Sequence, residues 1–86
     1  MGSRSRNAAG PLTRAIADLL NDRFDLVGGT QKALGERAGI SQSQLSKYLR
    51  GERSMNIEEL ESLCVALGLV LVDVVREGVR KAASEA

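Results

Sequence analysis

Residues 31–51, QKALGERAGISQSQLSKYLRG, contain two short helical patterns joined by a tight turn. Thr30 is a suitable N-cap for the first helix, predicted over 31–38, because its hydroxyl can accept a hydrogen bond from a free backbone N–H. Gly39 then tolerates a left-handed backbone, and Ile40 is an apolar plug for the turn. This spacing predicts a helix-turn-helix, two helices crossing at a steep angle, although a simple αα-hairpin would place glycine in the same way.

The second helix is predicted to begin after Ser41, which forms a capping box with Gln44, and to run to about Arg50. Projection at about 100° per residue places a polar face opposite Leu45, Tyr48 and Leu49. Side chains near the start of such a helix can enter the major groove, where they hydrogen-bond to base edges. The predicted base-reading residues are Gln42, Ser43, Ser46 and Lys47.

Two cations follow this face and are better placed for the DNA backbone. Arg50 and Arg53 lie at and just beyond the predicted helix end, where a guanidinium can reach phosphate. The amide-rich start of the next helix, near Asn56, offers another anion site.

An amphipathic pattern precedes the turn segment. Pro11 suits the first turn of a helix, and the apolar residues after it recur at helical spacing. Residues 24–27 extend the apolar surface into a predicted connector, which is closed by Gly28 and Gly29. The apolar positions of this first helix are Leu12, Ala15, Ile16, Leu19 and Leu20.

Two more helices are predicted after the turn segment. Asn56 and Glu59 form a capping box for a fourth helix that ends at Gly68. Residues 69–75 are ambiguous, because their β-branched side chains favour a strand whereas their apolar spacing favours a helix. A strand would have no partner in an otherwise helical chain, so a fifth helix is predicted. The predicted fold is all-α, with five helices around the central segment 31–51.

The composition excludes several kinds of chemistry. The 86 residues include no histidine and one cysteine, Cys64, so histidine acid–base catalysis, Ser-His-Asp triads and Cys/His zinc sites are excluded. We therefore expect no enzyme activity, metal, cofactor or small-molecule substrate. Cys64 is predicted to be a buried apolar residue. The lone cysteine and the lack of a signal sequence predict a reducing cytoplasm, and no apolar run approaches the roughly 18 residues of a membrane span.

The chain is long enough for one domain only. We expect a flexible arm over 1–10, a helix-turn-helix domain over 11–83 and a tail over 84–86. Arg4 and Arg6 in the arm are candidate minor-groove contacts.

Charge is distributed unevenly along the chain. Residues 1–53 hold nine basic and five acidic side chains, a net charge of +4, whereas residues 54–86 hold three basic and six acidic, a net charge of −3. This split suits a polyanion on one side of the protein, although a mixed solvated surface would produce it too.

Several short motifs between Leu12 and Val75 follow one known pattern. They are Thr30-Gln31, Ala38-Gly39, Ser41-Gln42-Ser43, Leu45-Ser46, Arg50-Gly51 and Ala66-Leu67-Gly68. In these motifs the chain resembles the Cro/cI type of phage repressor, the XRE family. The resemblance implies a compact five-helix, lambda-repressor-like domain, usually dimeric, whose second and third helices dock on DNA. It also implies that Gln31 buttresses Gln42 and touches phosphate. The predicted backbone contacts are then Thr30, Gln31, Lys32, Arg50, Arg53 and Asn56.

Three features depart from the family pattern. Gly35 stands where the family most often has alanine. Glycine costs about 0.5–1 kcal/mol in a helix relative to alanine but permits closer packing. Leu49 occupies a position often filled by an acidic residue, and the connector at Gly28 and Gly29 is longer than usual.

The polar face and the resemblance together predict a sequence-specific regulator of transcription that binds double-stranded DNA, most simply a phage-like repressor. A homodimer formed through Val70, Val72 and Val79 of the fifth helix would bind a palindromic operator. The alternative is an antitoxin-type or other protein-interaction module of the same fold.

Overall fold

The computed structural model describes residues 9–84, which form five α-helices and no strand. The helices are α1 (Pro11–Val27), α2 (Gln31–Ala38), α3 (Gln42–Leu49), α4 (Ile57–Leu67) and α5 (Leu71–Ser84). The all-α, five-helix prediction is confirmed, and the ambiguous segment after Gly68 is helical from Leu71 onwards. No helix within residues 9–84 has both the length and the apolarity to cross a membrane.

The first helix is longer than predicted. The connector expected over 24–27 is wrong, because α1 continues to Val27 and only 28–30 separate it from α2. Phe24 packs against the core, and its carbonyl oxygen accepts a hydrogen bond from the N–H of Gly28 at 2.8 Å. The helix therefore continues to Gly28, where φ is +82°, although Leu26 and Val27 in its last turn are exposed.

A single apolar core joins all five helices. Its fully buried side chains are Leu20, Leu45, Leu63 and Cys64. Burial, together with the negative charge of Glu61, raises the pKa of the Cys64 thiol, so this residue behaves as the predicted small apolar side chain. The long helices α1 and α5 pack along each other, with Gly78 at their closest approach, because a Cβ there would lie 2.7 Å from Cγ1 of Ile16.

Two arginines from different helices cap the C-terminal end of α4. The Nε of Arg23 on α1 donates to the carbonyl of Leu67 at 2.9 Å, and Arg37 on α2 donates to the carbonyl of Ala66. Cations are favourable at a helix C-terminus, where backbone carbonyls lack intrahelical partners. These contacts tie α1 and α2 to α4 and so hold α2 in place behind α3.

Candidate nucleic-acid interface

The corner between α2 and α3 is a closely packed turn. Gly39 has φ +72°, its N–H bonds to the carbonyl of Glu36, and the N–H of Ile40 donates to the carbonyl of Gly35 at 2.9 Å. These bonds form a Schellman motif, in which Ile40 is the buried apolar residue after the glycine. A Cβ on Gly35 would lie 2.6 Å from the backbone oxygen of Ile40. The absence of a side chain at Gly35 therefore lets the turn lie directly against α2. This is the closer packing that the sequence suggested.

The two helix starts are capped by hydroxyl groups. Thr30 Oγ1 accepts from the N–H of Ala33 at 3.1 Å, as predicted, and Ser41 Oγ accepts from the N–H of Gln44 at 3.3 Å. The second half of the predicted box at Ser41 is wrong, because no side-chain hydrogen bond from Gln44 returns to it among the described residues. The Ser41 cap bond is thus the one side-chain hydrogen bond at the start of α3 among the described residues.

One face of α3 is buried and the other faces outward. Leu45, Tyr48 and Leu49 are at most 5% exposed and fix the helix to the core. On the opposite side, Gln42 and Ser43 are exposed at the helix start, while Ser46 and Lys47 are half-buried further along. The structure thus brings the four predicted base-reading residues to one surface, free of acidic side chains within α3 itself.

The end of α3 carries a charged network that the sequence motif did not reveal. Arg50 donates through Nε and Nη2 to the two carboxylate oxygens of Glu52, at 2.8 and 3.2 Å, and through Nη1 to the hydroxyl of Ser46. The hydrogen bond and the negative charge of Glu52 raise the pKa of Arg50, and the hydrogen bond from Arg50 lowers the pKa of Glu52. The guanidinium predicted to contact phosphate is thus held by a carboxylate of its own chain.

The predicted anion site at the start of α4 carries a capping box. The side chain of Asn56 accepts from the N–H of Glu59 at 2.8 Å, and the Glu59 carboxylate accepts from the backbone N–H of Asn56 at 3.2 Å. Glu59 also accepts from the hydroxyl of Tyr48 at 2.7 Å. The box therefore uses the backbone N–H groups of Asn56 and Glu59 and brings a negative charge to the start of α4, and the phosphate contact of Asn56 stays a prediction.

The predicted backbone contacts on α2 lie at its exposed start. Gln31 is half-buried, and Lys32 is exposed and pairs with Glu36 at 3.3 Å. Within residues 9–84, no hydrogen bond joins Gln31 to Gln42, so the buttressing contact expected from the resemblance stays a prediction. Arg4 and Arg6 lie outside the described residues.

Contacts from α1 support the interface and were missed by sequence reasoning. Asn21 donates to the carbonyl of Leu49 at 2.5 Å, which satisfies the end of α3 where the family pattern has an acidic residue. The stem of Arg14 lies against Gly51, beside the loop that carries Arg53. Both contacts link residues far apart in sequence, so no local pattern signals them.

Comparison with known proteins identifies the fold family. The sequence profile of the helix-turn-helix family matches residues 15–73. The chain belongs to the helix-turn-helix family. Two crystal structures of the clp gene regulator ClgR from Corynebacterium glutamicum are similar to it, both at 30% sequence identity. One has a TM-score of 0.78 and covers 90% of this chain and 82% of ClgR; the other has a TM-score of 0.75 and covers 86% and 95%. No curated protein sequence matches significantly.

Membership of the helix-turn-helix family confirms the resemblance and the fold stated from the sequence. It supports DNA binding in transcription regulation as the class of function. The roles of individual residues, the homodimer and the cytoplasmic location stay predictions, as does the alternative of a protein-interaction module.

Proposed function

We propose that this helix-turn-helix protein is a sequence-specific transcriptional regulator that binds double-stranded DNA by placing α3 in the major groove. The observation that carries the proposal is the outward face of α3, where Gln42, Ser43, Ser46 and Lys47 share one surface while the opposite face is buried. A helix fixed in this way can hold amide, hydroxyl and ammonium groups at defined positions against base edges.

Contacts to the phosphate backbone are proposed on both sides of α3. Thr30, Gln31 and Lys32 lie at the start of α2, where exposed N–H groups and the helix dipole favour an anion. Arg53 lies beyond the other end of α3, and no ion pair involves it among the described residues. The two groups would set the register of α3 along the duplex without reading its sequence.

Repression is the mode of regulation we propose. Occupying an operator is enough to exclude polymerase and needs no surface beyond the DNA-binding face. The description of the similar chain ClgR as a regulator of clp genes supports gene regulation as the role of this fold. A promoter–reporter assay distinguishes repression, in which expression falls when this chain is supplied, from activation, in which it rises.

We further propose that the protein binds DNA as a homodimer, through a surface that differs from the predicted one. Val72 and Val79 lie within about 20° of each other around α5, whereas Val70 precedes the helix and lies about 200° from Val72. Val70 therefore does not share their face. Val72 and Val79 are more than half exposed beside half-buried Val75, and apolar stripes of this kind favour association.

The dimer is tested by Val72→Glu. The charge should abolish dimers and weaken binding to a palindromic site, whose half-sites we expect about 34 Å apart, one turn of the duplex. Val70→Glu is the matched control and should leave the mass in sedimentation unchanged. Equal masses for the wild type and Val72→Glu would remove α5 from the interface.

Sequence reading is tested by selection from a random DNA pool, followed by titration of the enriched site. Gln42→Ala should lose roughly 1–3 kcal/mol of binding free energy and relax the preference at one base position. Gln44→Ala removes the same side chain from the other flank of α3 and should change neither quantity. If Gln42→Ala weakened random DNA as much as the selected site, the base-reading role would be wrong.

Phosphate binding by Arg53 is tested through its salt dependence. Arg53→Ala should weaken binding to every sequence alike and reduce the slope of log K against log salt by about one. Arg76→Ala, which removes an arginine on α5 paired with Asp73, is the control and should leave the slope unchanged. An unaltered slope for Arg53→Ala would exclude the phosphate contact.

A further inference from the structure

We propose that Arg50 reads a guanine rather than a phosphate, and that Glu52 is the positioning residue that orients its guanidinium for this contact. The inference rests on the proposed DNA-binding function and replaces the backbone role that the sequence suggests for Arg50.

The turn after α3 holds Glu52 at the end of the helix. Gly51 has φ +72°, its N–H bonds to the carbonyl of Tyr48, and the N–H of Glu52 donates to the carbonyl of Lys47 at 3.0 Å. This Schellman motif fixes the backbone of Glu52 to the last turn of α3. The backbone of Glu52 is therefore part of the end of the helix, which places its side chain beside that of Arg50.

The Arg50 side chain is directed back along α3. One edge of its guanidinium forms a two-pronged contact with the Glu52 carboxylate, at 2.8 and 3.2 Å, and Nη1 donates to Ser46 Oγ. Ser46 is one turn nearer the start of α3, so the guanidinium lies back along the helix, level with the predicted base-reading residues. Arg53, by contrast, lies in the segment that follows the helix.

The Arg50 guanidinium keeps part of its hydrogen-bond donors free. A guanidinium has five N–H groups, and three of them are used within the chain. Two remain, and both side chains of the pair are about half exposed, at 54% and 53%. An arginine whose plane is fixed by a carboxylate can present its remaining donors to the N7 and O6 acceptors of guanine, the commonest specific arginine contact with DNA.

The negative charge of Glu52 disfavours a phosphate at Arg50. A phosphate that approached Arg50 would also approach the Glu52 carboxylate, and the two anions would repel each other. The acceptors of guanine carry only partial charges, so the carboxylate opposes them much less. Among residues 9–84, Arg53 forms no ion pair, so phosphate binding suits that cation better.

The experiment compares the wild type with Arg50→Ala and Glu52→Gln in selection from a random DNA pool, followed by titration at several salt concentrations. We expect the wild type to enrich guanine at one position of each half-site. Arg50→Ala should lose that preference, by roughly 5- to 150-fold in relative affinity, with the salt slope unchanged. Glu52→Gln should relax the preference at the same position, because it removes the carboxylate that orients the Arg50 guanidinium. Residue 52 itself is not expected to contact DNA.

A matched control is Glu77→Gln, which breaks a similar exposed contact, with Arg80 on α5 at 3.0 Å, and should leave base preference unchanged. Melting temperatures should stay close to that of the wild type for all three variants, because exposed ion pairs contribute little to stability.

Three results would overturn the inference. Uniform weakening of all sequences by Arg50→Ala, with a slope lower by about one, would make Arg50 a phosphate contact. Uniform tightening by Glu52→Gln with intact base preference would make Glu52 only a source of repulsion. A change by Glu52→Gln at another base position would make it a reader itself. If the wild type enriched no sequence at all, the proposed function would fail as well, which separates that failure from these three.

Discussion

Alkaline pH should destabilise the folded chain, and Tyr48 should make a distinct contribution to that loss. Its ring is buried under α3 and its hydroxyl donates to the Glu59 carboxylate at 2.7 Å. Burial contributes most, followed by the hydrogen bond and the charge of Glu59, and together they raise the pKa of Tyr48 from 10.0 to about 12 despite the opposing charge of Arg53.

The sign and size of the effect follow from linkage. The unfolded chain releases the tyrosine proton near pH 10.0, whereas the folded chain keeps it to about pH 12. The contribution of Tyr48 to stability is therefore complete below pH 10.0 and is lost as the pH rises towards 12. A difference of about two pKa units corresponds to roughly 2–3 kcal/mol in the free energy of unfolding.

The assay is unusually direct because the chain contains one tyrosine and no tryptophan, so tyrosinate absorbance reports Tyr48 alone. The native protein should titrate near pH 12 and the urea-unfolded protein near 10.0. Urea unfolding at several pH values should show a loss of stability for the wild type beyond that of Tyr48→Phe, which shares every other titrating group. A native titration midpoint near 10.0, or identical pH profiles for the two proteins, would refute the reasoning.

Three further predictions concern the frame of the interface, each measured by urea unfolding. Gly35→Ala should lower the free energy of unfolding by about 1–3 kcal/mol, because the new methyl group would meet the Ile40 carbonyl. A methyl group at Gly10 would meet no atom within 4 Å, so Gly10→Ala is the comparison. Equal stabilities for these two variants would contradict the turn geometry. Asn56→Ala should cost about 1 kcal/mol through the lost cap of α4, and a neutral result would mean that the capping box contributes nothing. Arg23→Met keeps the apolar stem but removes the hydrogen bond to the α4 C-terminus, which should cost about 0.5–1.5 kcal/mol; unchanged unfolding would show that water replaces the guanidinium.

Much of the fold is readable from the sequence, because its signals are local. Pro11 at a helix start, the Asn56–Glu59 capping box and the glycines at 39 and 68 act within a few residues of themselves, and each lies where the pattern places it. The error at 24–27 concerns a helix boundary. Phe24 continues the i, i+4 spacing of Ile16 and Leu20 and packs on the core with them, whereas Leu26 and Val27 are exposed and carry no packing signal for the helix end.

The candidate site divides along the same line. The polar face of α3 follows from helical periodicity, so the sequence alone determined that Gln42, Ser43, Ser46 and Lys47 share a surface. Tertiary structure decided which helices support this surface from behind. Asn21 on α1 reaches the carbonyl of Leu49 across 28 positions of the chain, and Arg23 reaches that of Leu67 across 44. Periodicity states which way a side chain points from its helix, whereas its neighbours depend on how the helices pack, and only the folded chain specifies those distances.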